Sequence, residues 1–106
     1  MAAGDKKLSA NVASGEVVGT GSAFNVICGF KPKHIRIMNR TDNSHSEWND
    51  AMPDASAQLT IDSGAGSTDV SFITSNGITP LYNGFTIGTN AALNTASDVV
   101  YWTAWK

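Results

Sequence analysis

The residues that could do chemistry in this 106-residue chain are few and scattered. A hydrolytic triad needs a serine or cysteine, a histidine as base and a carboxylate behind it, and the only bases are His34 and His45. His34 opens a strand-like run on its polar face. His45 lies in the turn-rich Asn43-Ser44-His45-Ser46, and neither histidine belongs to a nucleophile motif such as Gly-x-Ser-x-Gly. Both read as surface or sheet-face histidines. Glu47, Asp50 and Asp54 include the two acids that glycoside hydrolysis asks for, yet such pairs arise by chance in any small domain, and they read as solvated loop carboxylates. The same acids, or Asp62 and Asp69 across Ser63-Gly64-Ala65-Gly66-Ser67, carry oxygens that suit Ca²⁺, but their spacing matches no EF-hand loop. A polar hairpin is the simpler account. Cys28 is the single cysteine, which excludes an internal disulfide and a paired-cysteine zinc site. Its neighbours, Val26-Ile27-Cys28-Gly29-Phe30, make it a small buried hydrophobe. Gly19-Thr20-Gly21-Ser22 lacks the third glycine and the helix of a dinucleotide loop and reads as a turn. The expectation is a non-enzymatic protein with no catalytic residue, no metal site and no cofactor.

The aromatic residues carry more information. Trp48, Tyr82, Tyr101, Trp102 and Trp105 cannot all fit inside so small a domain beside Phe24, Phe30, Phe72 and Phe85, so some of them must lie at the surface and mark a contact face. Together with Leu8 and Val12 near the N-terminus, these five are the candidate partner or subunit contacts, with completion of the core the equal alternative for Trp102 and one or two of the others. Sugar rings, which stack on Trp and Tyr, and another protein subunit are the two partners that suit them. Charge argues against a polyanion: seven Lys and Arg oppose nine Asp and Glu, and only 15% of residues are charged. Nucleic-acid binding needs a concentrated basic patch, which the sequence lacks. No apolar run approaches the roughly 18 residues of a membrane span, and Met1 to Lys7 has no signal-peptide core. The expected setting is a reducing cytosol, or a larger assembly put together there.

The elements that position these residues are strands. The length suits one domain with one core. Residues 1–15 are rich in Ala, Ser, Lys and Asn and are expected to be a flexible arm, with a β-domain over 16–106. Glu16–Thr20 reads as a first strand. Phe24, Val26 and Cys28 share one face of the next, and Ile35 and Ile37 share one face of Lys33–Arg40; the two runs flank Gly29-Phe30-Lys31-Pro32 as an expected antiparallel hairpin. Ser46–Trp48 is a possible strand. Gln58–Asp62, with Leu59 and Ile61 inward, and Thr68–Thr74, with Val70 and Phe72 inward, make another hairpin. Asn76-Gly77 and Asn83-Gly84 signal turns, and Pro80 argues for an edge or a connection. Asp98–Trp105 is apolar on both faces, with Val100, Trp102 and Ala104 opposite Val99, Tyr101, Thr103 and Trp105, which places it centrally in a sheet. About eight short strands and no helical periodicity predict an all-β fold, a small β-sandwich or jelly-roll-like barrel of antiparallel strands.

A set of motifs in fixed order adds a resemblance. Gly29-Phe30-Lys31-Pro32, Asn39-Arg40, Glu47-Trp48 with Ala51-Met52, Asn76-Gly77-Ile78-Thr79-Pro80, Gly84-Phe85-Thr86-Ile87-Gly88-Thr89 and Val100-Tyr101-Trp102-Thr103-Ala104 resemble a group of small tailed-bacteriophage structural proteins, over most of Thr20 to Trp105. The resemblance implies a virion component, above all a head decoration (cement) protein seated on the capsid, often as a homotrimer. Its implied partners are the major capsid protein and further copies of itself. Assembly in the bacterial host's cytoplasm and a final place on the capsid surface follow from it. Similar motifs occur in tail-fibre and baseplate-associated modules, which leaves a receptor- or glycan-binding module as the alternative. The family supplies no catalytic residues.

Overall fold

The computed structural model describes the main chain of residues 6–8 and residues 11–62, 66 and 68–106 in full. The strands are β1 (Lys6–Leu8), β2 (Val12–Val18), β3 (Phe24–Ile27), β4 (His34–Asn39), β5 (Ser44–Asn49), β6 (Ser56–Asp62), β7 (Thr68–Leu81), β8 (Gly84–Ile87) and β9 (Val99–Trp105). They form one continuous sheet in the order β1-β2-β9-β4-β5-β6-β7-β8-β3, and every pairing is antiparallel. The expected all-β class stands: from Val12 onward eight antiparallel strands make a single sheet curled into a half-barrel, and its two faces are formed by one sheet.

Alternation of side chains decides which residues enter the curl. Ile35 and Ile37 from β4, Val100, Trp102 and Ala104 from β9, Trp48 from β5 and Leu59 from β6 all point into the concave side and are buried. The curl carries β8 over β9, so that Phe85 meets Trp102 edge to face with centroids 5.6 Å apart, an arrangement favoured by the ring quadrupoles. β9 lies between β2 and β4, as its two apolar faces require. Leu93 and Asn94, in the connection from β8 to β9, close the open side and are buried.

Asn94 fastens that closure. Its Oδ1 accepts from the amides of Thr20 (2.8 Å) and Gly21 (3.1 Å), and its Nδ2 donates to the carbonyls of Ser22 (2.7 Å) and Gly88 (3.0 Å). All four side-chain valences are used, which is what a buried amide needs if its desolvation is to be offset. Gly84 serves close approach instead. A Cβ there would overlap the Val26 carbonyl, so only glycine lets β8 lie this close to β3.

Three expectations change. The flexible arm does not extend to residue 15: Val12 to Gly15 pair with Trp105 to Trp102 in β2, because the last strand has a free side that a short alternating run can satisfy. Leu8 falls in β1 opposite Ala13, and residues 1–5, 9 and 10 of the expected arm lie outside the described residues. The runs Phe24–Cys28 and Lys33–Arg40 do not form a hairpin. β3 pairs with β8 and β4 with β5 and β9, since the amides of Cys28 and Gly29 both donate to the Asn83 carbonyl (3.0 Å each), Gly29 takes φ +96°, and Phe30 and Pro32 sink into the interior as the chain crosses the sheet. Asn76-Gly77 is not a hairpin turn. It is a bulge inside β7, where register jumps from Ala57↔Ile73 to Ser56↔Ile78, with Asn76 at φ +61° in a left-handed conformation that asparagine tolerates.

Candidate functional site

The outer, convex face of the sheet collects side chains in rows across the strands. One row runs Val12, Trp105, His34, Asn49; the next Ser14, Thr103, Arg36, Glu47, Gln58, Phe72; the next Glu16, Tyr101, Met38, His45, Thr60, Val70. Each row follows from the register, because residues opposite one another in an antiparallel pair point to the same side. Trp105 lies half-buried with the His34 ring stacked on it, centroids 4.5 Å apart and planes 18° from parallel. His34 Nε2 stands 3.6 Å from Glu47 Oε2, and Arg36 Nε is 4.0 Å from Glu47 Oε1. These are exposed pairs, worth at most about 1 kcal/mol each. Arg40 Nη1 donates to the Tyr101 hydroxyl at 3.2 Å. His34, Glu47 and Arg36 are thus an open sheet-face cluster against Trp105, while Arg40 separately holds the Tyr101 hydroxyl.

The expected contact residues divide into two sets. Tyr82, at the β7–β8 turn, is 83% exposed; Tyr101, Trp105 and Val12 are half-buried on the convex face. Trp48 and Trp102 belong to the interior, at 2% and 3% exposure, and this corrects their placement among the contacts. Trp48 goes inside because its strand phase faces the core and its Nε1 finds the Pro53 carbonyl at 3.0 Å, which removes the cost of burying an indole N–H. Trp102 goes inside because β9 carries it against Phe85. The side chain of Leu8 lies outside the described residues.

The main surprise is β7. Val70 and Phe72, expected inward, are 61% and 52% exposed on the convex face. Leu59 and Ile61 of β6 face the core, and their partners across the ladder are Ser71 and Asp69; the register of β6 therefore sends the polar phase of β7 inward and the apolar phase out. Ile73, opposite Ala57, is the residue of this half-strand that reaches the core. Nothing short of the register could have revealed this, because the alternation is the same whichever face it meets.

The acids are similarly sorted. Asp69 shares the concave side with Ile61 and Asp62 the convex side with Thr68, so the two carboxylates stand on opposite faces and cannot share a Ca²⁺. Among the described residues no group of three or more His, Cys, Asp or Glu side chains gathers as metal ligands would. Cys28 is buried, with its thiol directed at the Phe30 carbonyl at 3.2 Å. Asp50 and Asp54 edge an open cleft of about 420 Å³ with Lys31 and Lys33, walled in part by Trp48 and Pro80.

One acid pair is not evident from the sequence. Asp98, 5% exposed, accepts from Asn39 Nδ2 at 3.0 Å, and the Oδ1 of the same asparagine accepts the Asp42 amide at 3.0 Å. The Asp42 carboxyl titrates above its ordinary value near 3.8, through a hydrogen bond with Asp98, then desolvation, then the like charge of Asp98. Together with Thr41 Oγ1, which accepts the Val99 amide at 2.9 Å, the pair ties the β4–β5 turn to the start of β9.

Comparison with family models, with curated proteins and with solved structures finds no match. What the chain itself defines is a curled single-sheet β-domain with a filled core and an outer face that carries Val12, Trp105, Tyr101, Met38, Val70 and Phe72 among polar side chains.

Proposed function

We propose that this chain is a non-enzymatic structural protein of a tailed-bacteriophage particle: a head decoration protein, assembled in the host cytoplasm, that binds the major capsid protein, associates with copies of itself as a trimer, and stabilises the shell. The observation that carries this reading is the convex face. Trp105, Tyr101, Met38, Val70 and Phe72 lie on one side of a sheet whose opposite side, among the described residues, already buries sixteen apolar residues. A domain with a filled core gains nothing for its own folding by presenting such groups outward; they gain when another surface covers them. Binding of that kind adds to folding free energy by mass action, and repetition over a lattice multiplies modest single contacts. The motif order from Gly29-Phe30-Lys31-Pro32 to Tyr101-Trp102-Thr103-Ala104 supports the viral setting.

The test is addition of the purified protein to expanded, undecorated capsids. The expected result is saturable binding and a raised particle melting temperature, both lost in Tyr101→Ser/Trp105→Ser. Absence of binding at saturating protein overturns the proposal. A second reading, a tail-associated glycan-binding module, draws on the 420 Å³ cleft edged by Lys31, Lys33, Asp50 and Asp54. Trp48 offers such a ligand no open ring face at 2% exposure, so recognition there would fall to the charged rim. Glycan-array binding abolished by Asp50→Asn would favour this second reading.

A further inference from the structure

The N-terminal half of β7 is paired on one side only. β6 covers Thr68 to Ile73 along one edge, while β8 begins its pairing with β7 at Ile78. The carbonyls of Asn76 and Gly77 are taken by Asn90 and Gly88, so the uncovered stretch ends at the bulge. Among the described residues no strand runs along the other edge of Thr68–Thr74. Edges of this kind are usually blunted by lysine, proline or shortness, because a row of free N–H and C=O groups recruits another strand. Thr68-Asp69-Val70-Ser71-Phe72-Ile73-Thr74 has no lysine, no proline and one charge. It also breaks the inside-out pattern, with Val70 and Phe72 facing out and Ser71 facing in. Local violations of patterning are expected where a second surface completes the design.

We propose that this edge pairs antiparallel with the same edge of a second copy, about a two-fold axis at Ser71. The chemistry selects the occupant. A strand edge is satisfied by an extended chain, and this sequence is complementary to itself: the axis at Ser71 puts Val70 of each copy opposite Phe72 of the other, a β-branched–aromatic cross-strand pair. It places Asp69 opposite Ile73, so the single charge meets no like charge, and joins Thr68 to Thr74. The two β6–β7 hairpins then become one continuous sheet, with Val70 and Phe72 of both copies on its convex face and Ile73 on the other. The contact is small, below the roughly 1,200 Å² of a standard interface, so the isolated protein associates weakly through it, in roughly the 10 µM to 1 mM range. The pairing shares Val70 and Phe72 with the convex face of the capsid reading but needs only a second copy of the chain, so it is tested on the isolated protein.

The test uses the full chain in two forms. Ser71→Cys places two thiols across the axis, where opposed Cα atoms lie about 4.5–5.5 Å apart, within disulfide reach. The expected result is a reducible covalent dimer that forms on mild oxidation at about 50 µM protein, within the association range above, and much faster than in a Tyr82→Cys control at the β7–β8 turn; Cys28 is buried and stays silent. Phe72→Lys, at an exposed position, is expected to weaken association by about tenfold or more in sedimentation equilibrium with an unchanged far-UV spectrum and melting temperature of the monomer. Cross-linking of Ser71→Cys no faster than of the control, or self-association unaltered by Phe72→Lys, overturns the proposal. Val70→Lys, on the other half of the cross-strand pair, is expected to repeat the Phe72→Lys result, and retention of wild-type association by both overturns it equally.

Discussion

The curled body and the β6–β7 hairpin use the same residue alphabet to opposite ends. In β4 and β9 the apolar phase of the alternation enters the core: Ile35 and Ile37, Val100 and Trp102 are all buried. In the first half of β7 the apolar phase leaves it, and Val70 and Phe72 stand in solvent while Ser71 lies opposite buried Leu59. The body is cross-tied by Asn94, by the Phe85–Trp102 contact and by strands paired on both sides. Among the described residues, the hairpin beyond Ala57 pairs with the body through β5 and touches the core through Leu59, Ile61 and Ile73. Stability therefore resides mainly in the body, while the proposed pairing of copies lies in the hairpin, so the two can be damaged separately.

Three substitutions probe that division. Phe85→Ala removes a fully buried ring from against Trp102 and is expected to cost about 3–5 kcal/mol, read as a fall in urea midpoint; a loss below about 1 kcal/mol, far under the usual range for such a truncation, would mean the curl does not hold the fold. Asn94→Ala strands two amides and two carbonyls of the closing connection. It should cost about 2–4 kcal/mol, and proteolysis between β8 and β9 should accelerate. Phe72→Ser, by contrast, is expected to stay within about 0.5 kcal/mol of the wild type when measured on the monomer; a loss comparable to that of Phe85→Ala would erase the distinction between the regions.

The smallest effect concerns pH. Because the Asp42 pKa is raised in the folded protein by its bond to Asp98, by desolvation and by the like charge of Asp98, its contribution to stability is fully present below pH about 4 and is lost as pH rises through the raised value. Asp42→Asn removes the titration and keeps a donor for Asp98. Its stability relative to the wild type is expected to rise over that interval, measured as urea midpoints from about pH 3 to about pH 7, which brackets the carboxylate range; a fall with rising pH would reverse the assignment.

Most of the strands were legible because the period-2 pattern in β4, β6 and β9 is local and strong. The central place of β9 followed from apolar bulk on both its faces, and the burial of Cys28 from its neighbours. The β3–β4 hairpin was misjudged because Gly-Phe-Lys-Pro looks like a turn in isolation. Only the capture of two amides by Asn83, fifty-five residues from Cys28, turns it into a crossing. The Asp42–Asp98 pair was invisible for the same reason: nothing in the spacing of two aspartates fifty-six positions apart announces that Asn39 will bridge them. Trp48 and Trp102 could be assigned to the surface or the interior only once strand phase was anchored.

By itself the sequence determined the class of this protein: short alternating runs, abundant turn residues, one cysteine and little charge leave room for an antiparallel β-domain and for little else. The tertiary structure alone decided which face of each strand is inside. A strand has two equivalent sides, and the choice between them is made by register with a neighbour that is often distant in the chain. At Val70 and Phe72 that choice turns an apparent core into a surface.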